Sequence, residues 1–98
     1  MTIELTTTAQ DDLVAGYEFY AEQLNTVGEY FLDSLFSDID SLIIYAGIHP
    51  VLYGYYRMLA QRFPFAIYYK IEAESIRVYR VLDCRQNPQK TRRELRRS

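Results

Sequence analysis

Two runs of β-branched and aromatic residues, Phe63–Ile71 and Ile76–Cys84, flank four short residues, Glu72-Ala73-Glu74-Ser75. Such side chains lose χ1 freedom in a helix and suit a pleated, half-buried surface, so the two runs predict a β-hairpin around which the chain must organise. In the first arm Phe63, Phe65, Ile67, Tyr69 and Ile71 share one face, whereas Ala66, Tyr68 and Lys70 take the other. The first of these faces is wholly apolar and has to be covered. The second arm alternates at Ile76, Val78 and Leu82, but Arg80 interrupts it and Val81 falls out of phase. Two explanations stand: a central strand buried on both faces, or a bulge near residue 80.

Ninety-eight residues allow one core and one domain. Forty-nine per cent of the residues are apolar, with ten Tyr and five Phe, which excludes disorder for most of the chain. No apolar run is long enough to span a bilayer, and Met1-Thr2-Ile3-Glu4-Leu5 does not read as a signal segment, so a cytoplasmic location is expected. The single Cys84 has no thiol or His neighbour at metal-ligand spacing; a buried structural thiol is expected, with no metal and no cofactor.

Upstream, residues 2–6 alternate polar and apolar and predict a short edge strand. A helix over about residues 8–24 follows, capped by Thr7 or Thr8, with Asp11 and Asp12 favouring its positive end and Ala9, Leu13, Tyr17, Tyr20 and Leu24 forming the buried stripe. Thr26 and Glu29 have the spacing of a capping box, which starts a second helix whose stripe is Phe31, Leu35, Ile39, Leu42, Ile43 and Ala46, with Asp33, Asp38 and Asp40 pointing elsewhere. So short a link makes the two helices an antiparallel hairpin. Gly47-Ile48-His49-Pro50 ends it, which places the only His in a loop, and a Tyr-rich strand over 53–59 leads into the central hairpin. The fold class is therefore α+β, in the order β-α-α-β-β-β: an antiparallel sheet with a two-helix hairpin on one face and Tyr, Arg and Lys on the other.

Charge is distributed unevenly. Residues 1–56 hold nine acids and no Lys or Arg, while residues 57–98 hold all eleven Lys and Arg against four acids. Two readings stand: a basic surface for an anionic partner, or internal pairing of acidic helices with basic strands. The tail from Arg85 to Arg97 carries five net positive charges, and its ending, Arg92–Ser98, has too little apolar content to pack firmly and is expected to stay available to a partner. The only His, His49 between Ile48 and Pro50, reads as a loop residue rather than a catalyst, and no catalytic triad, phosphate loop, Cys-His pair or metal set is present.

Several strings in order carry a resemblance. They are Ala9–Leu13 with Phe19-Tyr20, Gly28 followed by Phe31, Arg62-Phe63-Pro64-Phe65 with Ile67-Tyr68-Tyr69, and Arg80-Val81-Leu82-Asp83-Cys84-Arg85 with Asn87-Pro88. Through them the chain resembles the RelE/ParE toxins of type II toxin–antitoxin systems, also called plasmid stabilisation proteins, and the ParE branch in particular. The resemblance implies a toxin domain over residues 1–90, a basic tail over 91–98, and a cognate ParD-like antitoxin whose helix lies between helices and sheet. A homodimer and a hetero-oligomer with the antitoxin are both compatible with it. ParE-like members act on DNA gyrase; the alternative is a RelE-like ribosome-dependent mRNA endonuclease. RelE-type ribonucleases commonly carry an arginine where this chain has Ala66, and a tyrosine after Arg85 where Gln86–Lys90 has none. The acidic pI of 5.3 also favours a protein target over ribosomal RNA. Arg77, Arg80, Arg85, Lys90, Arg92 and Arg93 are the expected target-binding residues, and Arg57, Arg62, Arg85 and Tyr68 are the candidates if the chain is a ribonuclease.

Overall fold

The computed structural model describes residues 1–98. The two apolar runs form β4 (Phe65–Glu72) and β5 (Ser75–Asp83), antiparallel from Phe65↔Asp83 to Glu72↔Ser75. Their turn is two residues long, with Ala73 at φ 54°, the positive value that such a tight reversal demands. Both explanations for the irregular second arm hold. Tyr68 faces Arg80 while Tyr69 faces Val78, so Tyr79 is a bulge residue, and β5 is also a central strand. The bulge resets the alternation, which lets Val78 and Val81 point into the same core although they are three residues apart.

The remaining elements are β1 (Thr2–Leu5), α1 (Thr7–Gln23), α2 (Asn25–Asp40), the single turn α3 (Leu42–Tyr45), β2 (Val51–Leu52), β3 (Tyr55–Leu59) and α4 (Pro88–Arg96). The sheet order is β1-β5-β4-β3-β2, with β1 parallel to β5 and the other pairs antiparallel. The strand expected over 53–59 starts only at Tyr55 and is preceded by the short β2, because Tyr53 and Gly54 both have positive φ and form a two-residue hairpin turn between Leu52 and Tyr55.

Helices α1 and α2 cover one sheet face. Ala9, Leu13, Tyr20, Phe31, Leu35, Ile39 and Leu42 meet Met58, Phe65, Ile67, Tyr69, Ile76, Val78 and Val81 in one core. The helices approach closely at two glycines. A Cβ on Gly16 would stand 2.4 Å from the Phe31 ring, and one on Gly28 would stand 2.7 Å from Ala21 Cβ. Around that contact Phe31 packs against Tyr20 and Phe65 with ring centroids 5.2 and 5.0 Å apart.

Several local expectations fail for identifiable reasons. Thr6, not Thr7 or Thr8, caps α1: its hydroxyl accepts from the Ala9 amide at 3.1 Å and donates to the Tyr79 carbonyl at 3.0 Å, so the cap also binds the bulge. Asp11 and Asp12 consequently lie beyond the first turn. Leu24 lies between the helices and is exposed, and α2 starts at Asn25 with no side-chain cap, so the Thr26/Glu29 box does not form. Ile43 is exposed, whereas Asp38 turns inward and accepts the Gln61 amide at 3.0 Å. His49 does lie in a loop; it hydrogen-bonds the Tyr69 hydroxyl, which also receives the Gly47 amide at 2.9 Å, and burial lowers the His49 pKa.

The largest correction concerns the second sheet face and the tail. The expected boundary at residue 90 falls inside α4, which packs Leu95 against Tyr55, Ala66, Tyr68 and Leu82. Leu95 is 2 % exposed. A single leucine makes this contact, closing a small apolar cluster on the sheet face away from α1 and α2.

Candidate functional site

The cationic residues gather on the face that α4 covers. Helix α4 begins with a sharp signal: Asn87 accepts the Gln89 amide through its side chain at 2.8 Å, and Pro88 occupies the first turn, where its missing N–H is harmless. Arg93 and Arg96 lie in its last turn, at the negative end of the helix dipole. The Tyr55 hydroxyl donates to the Leu95 carbonyl at 3.0 Å. Glu94 binds Arg80 at 2.8 Å.

Arg80 is a structural residue rather than a free cation. Its Nε and Nη2 grip Asp12 of α1 in a forked pair at 2.7 and 3.0 Å, while Nη1 holds Glu94 of α4. Asp12 accepts the Val81 amide as well, at 2.9 Å, and so takes the place of a strand neighbour where β1 has already ended. One guanidinium therefore joins both helical layers to β5. These contacts hold the Arg80 pKa above its ordinary value and the Glu94 pKa below its own. Arg80 thus leaves the set of expected target-binding residues, its side chain being only 9 % exposed.

Arg85 is exposed and makes a forked pair with the neighbouring Asp83, closing to 2.7 Å; the pairing raises the Arg85 pKa and lowers that of Asp83. Internal pairing ends there. Arg57, Arg62, Lys70, Arg77, Lys90, Arg92, Arg93, Arg96 and Arg97 have no carboxylate within ion-pair distance. Of the two readings of the charge asymmetry, pairing with the acidic helices therefore accounts for Arg80 alone. Several of the others lie over tyrosines: Lys70 Nζ is 4.7 Å from the Tyr55 ring centroid, Arg77 5.8 Å from Tyr79, and Arg92 6.0 Å from Tyr53. Acidic α1 and α2 occupy one side of the sheet and basic α4 the other, so the molecule is strongly polarised through its thickness.

Of the four ribonuclease candidates, the structure brings together two. Arg57 Nε donates to the Tyr68 hydroxyl at 3.1 Å in a cleft between the β2–β3 hairpin and the start of α4. Neither Arg62 nor Arg85 lines that cleft. Cys84 does, 3.7 Å from Arg57 Nη2, and it is exposed rather than the buried thiol expected. Partial desolvation raises its pKa, so it stays a neutral thiol at pH 7. No group of three or more His, Cys, Asp or Glu is arranged to hold a metal ion. No helix is long and apolar enough to cross a membrane.

A second groove, of about 350 Å³, runs between α1 and α4 over β5, with Gly16, Phe19, Phe65 and Leu82 among its walls. Phe19 is half exposed, and Ile43, Ile44, Tyr45 and Ile48 form a further exposed apolar group around α3.

Residues 3–88 match a family model described as the ParE toxin of the type II toxin–antitoxin system parDE. Among solved structures the chain is similar to the chromosomal ParDE TA system from P. aeruginosa, at 20% sequence identity and a TM-score of 0.75, over 83% of this chain and 92% of that one. At that identity the likeness shows the fold. A search of curated protein sequences finds no match. The family match stops at residue 88, where α4 begins.

Proposed function

The chain belongs to the ParE toxin family of type II toxin–antitoxin systems, and from that premise we propose that it inhibits DNA gyrase by binding it, without catalysis. The observation that carries this reading is the row of cations on and around α4 that have no carboxylate partner of their own. Exposed Arg77, Arg92 and Arg93, with Lys90 beside them, form the contact surface, and the acidic helical layer faces away from the target. A protein surface with matching acidic groups satisfies these cations without requiring an overall positive charge on the toxin.

The cognate antitoxin is a ParD-like protein. Its apolar helix lies along the groove between α1 and α4 over β5, where exposed Phe19 lines the wall with Gly16 and Phe65. Purified toxin added to a gyrase supercoiling assay tests the reading. Inhibition that is relieved by a stoichiometric antitoxin is expected; undiminished supercoiling at excess toxin refutes it.

The Arg57–Tyr68 pair favours one second reading, an mRNA endonuclease acting on the ribosome, since arginine stabilises phosphate charge and a phenol can move a proton. His49 bonds Tyr69 in the helix-covered core, whereas the adjacent Tyr68 points to the opposite face, so the two do not meet. Primer extension on translated mRNA, with cut sites that vanish in Arg57→Ala, would establish this reading in place of the first.

A further inference from the structure

We propose that the cleft between the β2–β3 hairpin and the N-terminal end of α4 is a binding site for a phosphate group, with Arg57, Tyr68 and Thr91 as its donors. The cleft has a volume of about 300 Å³ and contains no acidic side chain. Arg57 is half-buried there, and it has no carboxylate partner. Its Nε is held by the Tyr68 hydroxyl, and Nη2 meets only the weakly accepting sulfur of Cys84, so the outer edge of the fork remains open for an oxyanion.

The two hydroxyls complete the arrangement. Tyr68 is 3 % exposed and its oxygen accepts from Arg57, which leaves its own proton with no acceptor in the protein. The Thr91 hydroxyl accepts from Gln86 Nε2 at 2.9 Å, and its proton is likewise unused. An arginine and two hydroxyl donors thus converge on one small space, and no protein acceptor answers them. The neutral Cys84 thiol adds no competing negative charge. Pro88 and Thr91 both line the space, so the positive end of the α4 dipole adjoins it. Because Leu95 fixes α4 and Tyr55 fixes Leu95, the donors are held in place before a ligand arrives.

This site does not depend on gyrase being the target. The phosphate could belong to a free nucleotide or to a nucleic-acid backbone, and the chemistry of recognition is common to both.

The test is NMR titration of the full chain with inorganic phosphate, a nucleoside 5′-monophosphate, and a short single-stranded oligonucleotide lacking terminal phosphates. Saturable shifts centred on Arg57, Tyr68 and Thr91 are expected with phosphate or the monophosphate if the site takes a terminal phosphoryl group, and with the oligonucleotide if it takes a phosphodiester. Arg57→Gln should weaken binding by about 10- to 100-fold, the effect of losing a charge-assisted hydrogen bond. Tyr68→Phe, which keeps the buried ring, should weaken it by several-fold, and Arg62→Ala, away from the cleft, should leave it unchanged. Shifts spread evenly over Arg92, Arg93, Arg96 and Arg97 and insensitive to Tyr68→Phe would overturn the proposal in favour of diffuse attraction. Saturation of the same residues by an acidic peptide, with none by any phosphate, would overturn it too.

Discussion

Replacing Asp12 with Ala tests how much the joint between the two helical layers contributes. The substitution removes both arms of the forked contact to Arg80 and the acceptor for the Val81 amide. Arg80 and Asp12 side chains are 9 % and 13 % exposed, so the pair is largely desolvated. Breaking such a pair from one side costs ~3–5 kcal/mol, because the remaining charge is left buried. Glu94 still holds Nη1 at 2.8 Å, which moves the expectation to the lower end, about 3 kcal/mol. That is a large share of the ~5–15 kcal/mol typical of a domain. In urea, with a slope near ~1 kcal/mol/M for a chain of this size, the midpoint should fall by about 3 M. Asp12→Asn keeps an acceptor for Val81 and should fall between wild type and Ala. Asp11→Ala, exposed and unpaired on the same turn, should change stability by no more than ~0.5 kcal/mol. Equal midpoints for Asp11→Ala and Asp12→Ala would refute the account of the joint.

Further outcomes follow from the packing and the charges. Gly16→Ala gains roughly 1 kcal/mol of helix propensity, but it drives a methyl into the fully buried Phe31 ring; a net loss of ~1–2 kcal/mol is expected in thermal or urea unfolding. Leu95→Ala should release α4 while the sheet and α1–α2 core stay folded, seen as faster trypsin cleavage at Arg92 and Arg93 and lost hydrogen-exchange protection there. Glu94 has a carboxyl pKa lowered in the folded state by Arg80, so its contribution to docking α4 is full above the unfolded value, about 4.3, and disappears as pH falls through the folded one. Protection of the α4 amides should therefore decline in that acid window, and Glu94→Gln should remove the pH dependence.

The order of elements is readable from the sequence because long periodic runs set it: the stripe Ala9, Leu13, Tyr20 and the apolar arms of the hairpin leave few alternatives. What escapes has local causes. The Tyr53-Gly54 turn was hidden inside a Tyr-rich run, and glycine after tyrosine was its only mark. Asp12 reads as a helix-dipole residue, yet its partner, Arg80, lies 68 positions away in β5, beyond the reach of any local pattern. The packing of α4 rests on one leucine among charges, below what periodicity can detect. The signal that could have found it was the Asn87-Pro88 cap, which starts a helix whatever follows. The Arg57–Tyr68 cleft was half legible: both residues are recognisable candidates, but Thr91 and Cys84 join them only because α4 folds back.

The central claim is that the unpaired cations around α4 engage the target. The most direct measurement is gyrase supercoiling inhibition by Arg77→Glu/Arg92→Glu/Arg93→Glu, with antitoxin binding as the control for an intact fold. The account predicts that the triple variant loses inhibition while still binding antitoxin, and that wild-type inhibition weakens as salt rises. Full inhibition by the triple variant, equally strong at low and high salt, would contradict it.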